Sequence, residues 1–289
     1  MNILVTGANG QLGSELRAAA PAEASHRFVF TDVAELDITD VSAIRRLVQE
    51  EGIEAIVNCA AYTQVDRAED DEPTADLINR KAVENLATVA AEADALLVHV
   101  STDYVFGGRG NTPFSEQDTP APLGVYGRTK LAGEEAVRAT GCRHIILRTA
   151  WLYSTYGAVN FVKTMRRLMN ERDELRVVYD QVGSPTYAAD LAAAILSILR
   201  TPVPAELLGT YHYTNEGVCS WYDFALEIRH LSGLDAACRV LPCRSSEFPA
   251  KVQRPAFSVL DKAAVKNAFG IEIPHWVESL RKCIAALDA

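Results

Sequence analysis

The chain has 289 residues, of which 48% are hydrophobic, so it can bury one large core or a core with a smaller lobe attached. Its formal net charge of −10 repels phosphate backbones, and no dense stripe of Lys and Arg offsets that charge. The first residues lack a secretory pattern, and no apolar stretch reaches the roughly 20 residues that span a bilayer. We therefore expect a folded cytoplasmic protein that binds neither nucleic acid nor membrane.

Short β-rich apolar runs alternate with stretches of helical period from the first residues onward. In chain order the segments are NILVTG, QLGSELRAAA, RFVFTD, VSAIRRLVQEEG, AIVNCAA, ADLINRKAVENLATVAAEA, LLVHVST, a helix near Tyr126, and HIILRTAW. Regular alternation of this kind predicts an α/β fold with a doubly wound parallel sheet (Rossmann), whose ligands lie outside the carboxyl ends of the strands.

The alternation loosens after Trp151, where prolines separate shorter elements. We predict a first domain over residues 1–150 that is rejoined at about 188–215 by the helix AADLAAAILSILR and the strand GTYHYT. Residues 151–187 and 216–289 then form a smaller, discontinuous C-terminal lobe that covers the substrate.

The first strand runs into GANGQLG, which places Gly7, Gly10 and Gly13 in a turn and the first turn of a helix. Glycines there let the backbone turn tightly and let a pyrophosphate approach the amide groups at the helix amino terminus. An ordinary tight loop is the alternative. The strand before, the helix after and the position at the start of the chain favour a dinucleotide site, and hence an NAD(P)-binding first domain.

Acidic residues follow the second predicted strand. Asp32 lies roughly 20 residues beyond the glycines, where an acid hydrogen-bonds the adenosine ribose, although it could equally cap the next turn. Because no Arg or Lys follows at once to receive a 2′-phosphate, these residues favour NADH over NADPH. Asp37 and Ile38 could hold the adenine, with capping of the next helix as the competing role, to which Asp40 is better suited.

Small residues end the third predicted strand, in NCAAYT. Ala60 and Ala61 let the backbone pass close to the dinucleotide, and ordinary helix–sheet packing explains either alanine equally well.

A hydroxyl pair and a Tyr–Lys pair follow the fourth predicted strand. Tyr126 and Lys130 are four residues apart in YGRTK, so they project from one face of a helix, where an ammonium lowers the pKa of a phenol. A Tyr and a Lys at this spacing usually form only a surface pair. The glycine motif and the Ser-Thr strand end that precede them favour catalysis here. Ser101 and Thr102 end the strand in VSTDYVFGG, where a hydroxyl can hold a substrate carbonyl or cap a turn, the latter suiting Ser101.

Together GxxGxxG, STDYVF and YxxxK, in this order and spacing, resemble the extended short-chain dehydrogenase/reductase family over essentially the whole chain. Within that family, VDRAED, STDYVFGG, VYGRTKLAGE, RTAWLY, NFVKTM and RPAFSVLDK resemble the reductases of dTDP-linked 4-keto-6-deoxysugars. The resemblance implies reduction of such a sugar with NADPH or NADH.

The resemblance also implies roles for individual residues. Thr102, Tyr126 and Lys130 are the implied catalytic triad, and Tyr104 and Trp151 face the sugar, although a core position is the usual place of a tryptophan. Arg254 in QRP can pair with a diphosphate, or be merely solvated. The implied cofactor lining is Gly10, Gln11, Leu12, Asp37, Ile38, Ala60, Ala61 and Thr63.

Alternative functions share these motifs, and one of them is the reduction of another dTDP-4-keto-6-deoxysugar, in an antibiotic sugar pathway. Nucleotide-sugar dehydratases and epimerases have the same fold and Tyr–Lys pair, but the dehydratases carry Asp-Glu after the Ser/Thr, whereas Asp103 is followed here by Tyr104. A dinucleotide-binding regulatory subunit without catalysis is a further alternative, disfavoured because the tyrosine and the lysine are both intact.

Metal binding and assembly are less defined by the sequence. The resemblance associates a magnesium site between subunits with acids such as Glu15, but its other ligands have no clear match, and we predict no catalytic metal. The six cysteines show no zinc-ligand spacing, which favours reduced structural thiols. A monomer or a homodimer is compatible with these features.

Overall fold

The computed structural model describes residues 1–248 and 250–289. Strands and helices alternate along the first half of the chain in the predicted order. They are β1 (Asn2–Thr6), α1 (Gln11–Ala19), β2 (Arg27–Thr31), α2 (Val41–Glu51), β3 (Ala55–Asn58), α3 (Val65–Ala68), α4 (Glu72–Asp76), α5 (Ala82–Glu92), β4 (Leu96–Thr102), α6 (Val125–Thr140) and β5 (His144–Thr149).

Shorter strands follow β5, while the helices there are as long as those before it. These elements are β6 (Leu152–Tyr153), α7 (Phe161–Glu171), β7 (Glu174–Val178), β8 (Val182–Gly183), β9 (Thr186–Tyr187), α8 (Ala188–Leu199), β10 (Gly209–His212), β11 (Cys219–Ser220), α9 (Trp221–Leu231), β12 (Arg239–Cys243), α10 (Ala263–Phe269) and α11 (Trp276–Asp288).

Six strands form the central sheet, in the order β10, β5, β4, β3, β1, β2, and all neighbours are parallel. The chain moves from β1 to β2 on one side and then from β3 outward on the other side. The carboxyl ends of β1 and β3 therefore flank the point where the strand order reverses, which is where ligands bind in such sheets. The predicted doubly wound α/β fold is confirmed.

Helices cover both faces of the sheet, which explains why its strands are nearly continuous apolar runs. Successive residues of β1 point to opposite faces, so Ile3 and Val5 enter one core while Leu4 enters the other. Leu16 of α1 and Leu191 of α8 pack in the first core. The second core is formed with residues of α2 and α5. The two cores pack on opposite faces of the sheet and fix the carboxyl ends of its strands in place.

The loop after β2 shows how α2 begins. Asp40 is its N-cap, and the carboxylate accepts hydrogen bonds from the backbone of Ser42 at 2.8 Å and of Ala43 at 3.1 Å. Gly52 ends the helix in the left-handed conformation, with φ of +57°. The capping role therefore belongs to Asp40, as the sequence indicates.

The long helical stretch before β4 contains a π-helical segment, Leu77–Lys81, between α4 and α5. Within it the side chain of Asn79 accepts from the Tyr62 backbone nitrogen at 2.9 Å and donates to the Tyr62 carbonyl oxygen at 3.1 Å. It also donates to the Thr129 hydroxyl at 3.2 Å. Asn79 thus joins the loop after β3 to α6, and the π-helical segment orients its side chain toward both.

The second half of the chain contributes both to the sheet and to a separate core. α8 packs against α1, and β10 pairs with β5 at the sheet edge. Residues of α7, α9 and α11 form a third core with Tyr153 and Trp276. Val265 of α10 and Ile271 pack in the first core beside the sheet, although they lie within the 216–289 lobe expected from the sequence. The domain boundaries remain a prediction.

Within the described residues, no helix combines the length and apolar character needed to cross a bilayer. Over the same residues, no group of three or more His, Cys, Asp or Glu side chains is placed to hold a metal ion. Glu15 is buried, and its carboxylate accepts a hydrogen bond from the Ser154 hydroxyl at 2.6 Å. The six cysteines are free thiols.

Candidate active site

A cavity of about 660 Å³ opens at the carboxyl ends of β1, β3, β4 and β5 and at the start of α1. Ten residues expected at the site lie in its wall. They are Gly10, Gln11, Leu12, Ala61, Thr63, Thr102, Tyr104, Tyr126, Lys130 and Trp151. Motifs from five separate segments of the chain therefore meet around one space.

The glycine loop after β1 is packed too tightly for side chains at two of its positions. Gly7 has a φ of +64°, and an added Cβ there would lie 2.6 Å from the backbone nitrogen of Ala60. An added Cβ at Gly13 would lie 2.5 Å from the Cα of Ala8. Gly10 is the N-cap of α1 and makes no side-chain capping bond, so the helix presents backbone N–H groups to the cavity. This cradle fits a dinucleotide pyrophosphate.

The residues beside Gly10 contribute in different ways. The side chain of Leu12 is buried in the first core, so its backbone is what faces the cavity. Gln11 Oε1 accepts from Asn160 Nδ2 at 2.9 Å, which ties the start of α1 to the start of α7. Ala61 lines the cavity, while the Ala60 backbone nitrogen donates to Asn58 Oδ1 at 3.1 Å.

The acidic residues after β2 lie outside the described lining of this cavity. The Asp32 carboxylate accepts from the backbone nitrogens of Asn9 and Val33, both at 2.9 Å, so it supports the glycine loop directly. Asp37 accepts from the backbone and the hydroxyl of Thr39, and these hydrogen bonds lower the pKa of its carboxyl. Ile38 is buried in the second core. Their adenosine-binding roles remain predictions.

Thr102 rather than Ser101 caps the turn at the end of β4. Thr102 Oγ1 accepts from the Tyr104 backbone nitrogen at 3.2 Å and lies 3.1 Å from Asp103 Oδ1. Ser101 instead donates to Glu134 Oε1 at 2.6 Å. The cap suggested for Ser101 is thus made by the next residue, because the Ser101 hydroxyl is bound to Glu134 of α6; both residues line the cavity.

Tyr126 and Lys130 project from the first turns of α6, four residues apart. Burial raises the pKa of the Tyr126 phenol above its usual value, while a hydrogen bond with the Thr102 hydroxyl lowers it. The phenol therefore keeps its proton at neutral pH, as a proton donor must. We expected Lys130 to lower this pKa, whereas in the structure burial is the largest influence on Tyr126.

Lys130 is buried in the wall of the cavity. Its Nζ donates to the Val100 carbonyl oxygen at 2.7 Å and lies 3.5 Å from His99 Nε2. Burial lowers the pKa of Lys130 to about 8, while the Glu134 carboxylate raises it. This lysine can therefore change its charge near neutral pH.

A buried ion-pair network fixes α6 against the sheet. The Glu134 carboxylate accepts from Arg148 Nε at 2.9 Å and Nη2 at 2.7 Å, from Arg138 at 2.8 Å and from Ser101. Burial raises the pKa of Glu134, but the hydrogen bonds and charge of Arg148 outweigh it and leave the pKa below its usual value. Because Glu134 lies one turn after Lys130, the network fixes the position of the Tyr–Lys pair relative to β4 and β5.

A second cavity, also of about 660 Å³, shares Tyr104 and Trp221 with the first. Arg254 lies in its wall, where the guanidinium donates to Tyr104 Oη at 3.1 Å and pairs with Asp66 at 2.5 Å. Arg254 is therefore held in place rather than merely solvated, and its charge is paired with that of Asp66, which lines the same cavity. The two cavities adjoin at Tyr104 and Trp221.

Trp151 and Trp221 stack face to face, with ring centroids 3.6 Å apart and planes at 9°. Trp151 has a φ of +50°, which is uncommon outside glycine and marks local strain. An added Cβ at Gly183 would lie 2.7 Å from Trp151 Cε2, so only glycine leaves room for the indole. Trp151 therefore sits at the cavity, and its indole contacts the third core at its edge.

Asp103 is a buried carboxylate beside the catalytic candidates. Among the described residues its Oδ2 has no hydrogen-bond partner, and burial raises the pKa of this group to about 6. Hydrogen bonds with Ser258 and Thr102 oppose the shift. The carboxyl can therefore hold a proton in the weakly acidic range.

Several residues of this arrangement are not predicted by the motifs in the sequence. His99 and Glu134 are polar residues in otherwise apolar or helical segments, and a histidine inside the run LLVHVST is a signal that a partner must exist in the core. Trp221 follows Ser220 in a capping box with Asp223, so its place at a helix start could be predicted, but not its stacking on Trp151.

The sequence and the fold are similar to those of known proteins along their full length. The family described as RmlD substrate binding domain matches residues 1–289. A dTDP-4-dehydrorhamnose reductase of Burkholderia thailandensis is 39% identical, over 99% of each chain. The crystal structure of a dTDP-4-dehydrorhamnose reductase from Clostridium acetobutylicum has a TM-score of 0.94 at 42% identity, covering 100% of both chains. That of the Bacillus anthracis dTDP-4-dehydrorhamnose reductase in complex with NADP has a TM-score of 0.92 at 40% identity, covering 99% of both chains.

Proposed function

The chain belongs to the RmlD substrate-binding-domain family, and from this we propose that it is a dTDP-4-dehydrorhamnose reductase. It reduces the 4-keto group of dTDP-4-dehydro-L-rhamnose, a dTDP-linked 4-keto-6-deoxysugar, to give dTDP-L-rhamnose, with NADPH or NADH as reductant. The observation that supports this most directly is the meeting of Thr102, Tyr126 and Lys130 in the wall of a cavity that begins at a glycine loop. Identity of about 40% over the whole length to reductases of this name agrees with it.

The chemistry divides between cofactor and protein. When bound, the nicotinamide cofactor supplies the hydride that the keto carbon receives. The Tyr126 phenol is protonated and donates its proton to the keto oxygen, which becomes the product hydroxyl. The Thr102 hydroxyl lies at the same wall and orients that oxygen, and Lys130 holds the nicotinamide ribose.

The second cavity suits the remainder of the substrate. Arg254 pairs with the diphosphate, since a guanidinium recognises phosphate oxygens with paired N–H groups. Tyr104 and Trp151 face the sugar, and Tyr104 belongs to both cavities. Binding of the nucleotide diphosphate then positions the keto carbon, so a free sugar reacts poorly. Trp151 and Arg254 belong to the substrate lobe that we assign to residues 151–187 and 216–289, whereas Tyr104 belongs to the first domain.

The site disfavours a dehydratase. Elimination of water needs an acid and a base after the Ser/Thr, but position 104 is a tyrosine whose hydroxyl is bound by Arg254. An epimerase would recycle its cofactor, so stoichiometric oxidation of added NAD(P)H separates that activity from reduction. A regulatory subunit would bind the cofactor without turning over any keto sugar.

The test is reduction of the substrate itself. dTDP-4-dehydro-L-rhamnose is generated in situ by its upstream enzymes, the protein is added with NADPH or with NADH, and cofactor absorbance is followed while the product is identified. We expect dTDP-L-rhamnose in an amount equal to the cofactor consumed. If no dTDP-L-rhamnose forms from substrate shown to be present, with folded protein, the assignment is wrong and a screen of other dTDP-4-keto sugars replaces it.

A further inference from the structure

A buried chain of polar side chains runs behind Lys130, through His99 and Asn58 to Thr6. All four residues are at most 1% exposed. We propose that Asn58 presents His99 to Lys130 as an N–H donor, and that His99 is thereby a positioning residue that favours the neutral amine of Lys130. The proposal concerns the protonation of Lys130 in the free protein, and only its effect on turnover rests on the proposed function.

The orientation of the Asn58 amide follows from its partners. The Ala60 backbone N–H donates to Asn58 Oδ1 at 3.1 Å, and a backbone N–H can only donate. The Thr6 hydroxyl donates to the same oxygen at 2.7 Å. The oxygen is therefore fixed on that side, and the amide nitrogen Nδ2 faces His99 Nδ1 at 3.1 Å.

The orientation of Asn58 decides the tautomer of His99. Because Asn58 Nδ2 is a donor, His99 Nδ1 must accept and carries no proton. Burial, and then the charge of Lys130, keep the pKa of His99 well below its usual value, so the ring is neutral. A neutral imidazole holds one proton, which then lies on Nε2, the atom 3.5 Å from Lys130 Nζ.

A donor in this position distinguishes the two forms of Lys130. The ammonium form has only donors, so His99 Nε2–H faces it unfavourably, whereas the amine has a lone pair that can accept. The Val100 carbonyl oxygen, on the same strand, accepts from either form. Glu134 favours the ammonium, but its carboxylate already pairs with Arg148 and Arg138. His99 therefore acts against Glu134 and adds to the effect of burial.

The consequence for the reductase is a lysine whose charge changes within the working range of pH. Burial lowers the pKa of Lys130 to about 8, so we expect turnover to fall at alkaline pH as the ammonium is lost. The His99 contact sets where that fall begins.

The experiment measures the pKa of Lys130 directly. Lysine labelled with ¹³C at Cε is incorporated into the cofactor-free protein, the Lys130 signal is assigned by its loss in Lys130→Arg, and its shift is followed against pH. In the unmodified protein we expect a pKa clearly below the roughly 10.4 of ordinary lysines. His99→Gln keeps an acceptor for Asn58 and a donor for Lys130, and should leave the pKa nearly unchanged.

Two substitutions remove or reverse the donor. His99→Leu replaces the N–H donor with an apolar side chain. It should raise the Lys130 pKa by about one unit, a tenfold change in the protonation equilibrium. Asn58→Asp replaces the donor to His99 with an acceptor, which moves the ring proton to Nδ1, turns the Nε2 lone pair toward Lys130 and should raise the pKa further. The control is His212→Gln, since His212 is also buried but contacts Arg148. This variant should leave the pKa of Lys130 unchanged.

Burial alone predicts the opposite sign for His99→Leu, because leucine makes the surroundings of Lys130 less polar. An unchanged or lowered Lys130 pKa in His99→Leu therefore overturns the proposal, whatever Asn58→Asp does. A raised pKa supports it, and the alkaline fall of turnover should then move to higher pH by the same amount. If the protein reduces no dTDP sugar, the NMR result still stands, so the two conclusions fail separately.

Discussion

The two cavities are built in different ways. The proposed cofactor side, around the first cavity, is formed largely by short, local motifs of the backbone, such as the loop at Gly7 and Gly10 and the strand end at Ala61. The proposed substrate side is assembled from side chains far apart in the sequence: Arg254 holds Tyr104, and Trp221 stacks on Trp151 in the wall of the first cavity. A site made of local backbone can be recognised in a sequence, whereas one made of distant side chains has to be seen in the structure.

Tyr126 lines the first cavity and packs edge-on against Tyr104, which both cavities share, and its replacement has the largest expected effect. Tyr126→Phe keeps the ring but removes the proton donor, and turnover should fall by about 10²–10⁴. Cofactor affinity, measured by fluorescence titration, should hardly change if the cofactor side is independent of the phenol. Near-normal turnover under conditions where chemistry limits the rate would show that Tyr126 is not the acid.

Asp103, in the wall of the first cavity, tests the cost of burying a charge. Its folded-state pKa of about 6 lies above the value of about 3.9 for an unfolded chain, so its contribution to stability is complete below about pH 4 and is lost as the pH rises through 6. Asp103→Asn cannot ionise. It should raise the free energy of unfolding at pH 8 by up to about 3 kcal/mol, since two pKa units correspond to that amount.

Denaturant unfolding at pH 8 and at pH 4 measures this difference. The gain in the free energy of unfolding should be small at pH 4, where both proteins are neutral at position 103. An equal gain at the two pH values would mean that packing, not ionisation, distinguishes them.

Arg254 tests the substrate side alone. Arg254→Met keeps an unbranched, flexible stem but removes the guanidinium, and KM for the dTDP sugar should rise about 10- to 100-fold, the effect of losing charge-assisted hydrogen bonds. Cofactor KM should stay constant, because Arg254 lies in the wall of the second cavity. Arg239→Met is the control, since Arg239 forms an exposed pair with Glu174. A rise in cofactor KM equal to that for the sugar would break the separation of the two sides.

Asp32 tests the cofactor side, with the smallest expected effect. We expect appreciable turnover with NADH, and Asp32→Ser should shift the ratio of kcat/KM toward NADPH by less than about tenfold, because a carboxylate repels a 2′-phosphate. Initial rates with both cofactors give the ratio. A preference for NADPH beyond a hundredfold in the unmodified protein would mean that another residue reads the 2′-phosphate.

The sequence predicts the fold well because the alternation of apolar runs and helical periods reflects burial on both faces of the sheet. It also predicts ten of the residues in the wall of the first cavity, since the loop after β1 and the ends of β3 and β4 are marked by a glycine, an alanine and a hydroxyl. It does not predict the stack of Trp221 on Trp151, nor the link from Asn58 through His99 to Lys130. Those contacts join residues 70 and 31–41 positions apart, and no local pattern encodes them.

The tryptophan stack also gives the protein an optical reporter of its own. Two of the three indoles lie face to face in the wall of the first cavity, and the third, Trp276, is buried in the third core. Emission from the stacked pair depends on whether another ring or a sugar lies against it, while Trp276 supplies a constant background. Occupancy of the site can therefore be followed by fluorescence in the natural sequence, without a label and without turnover.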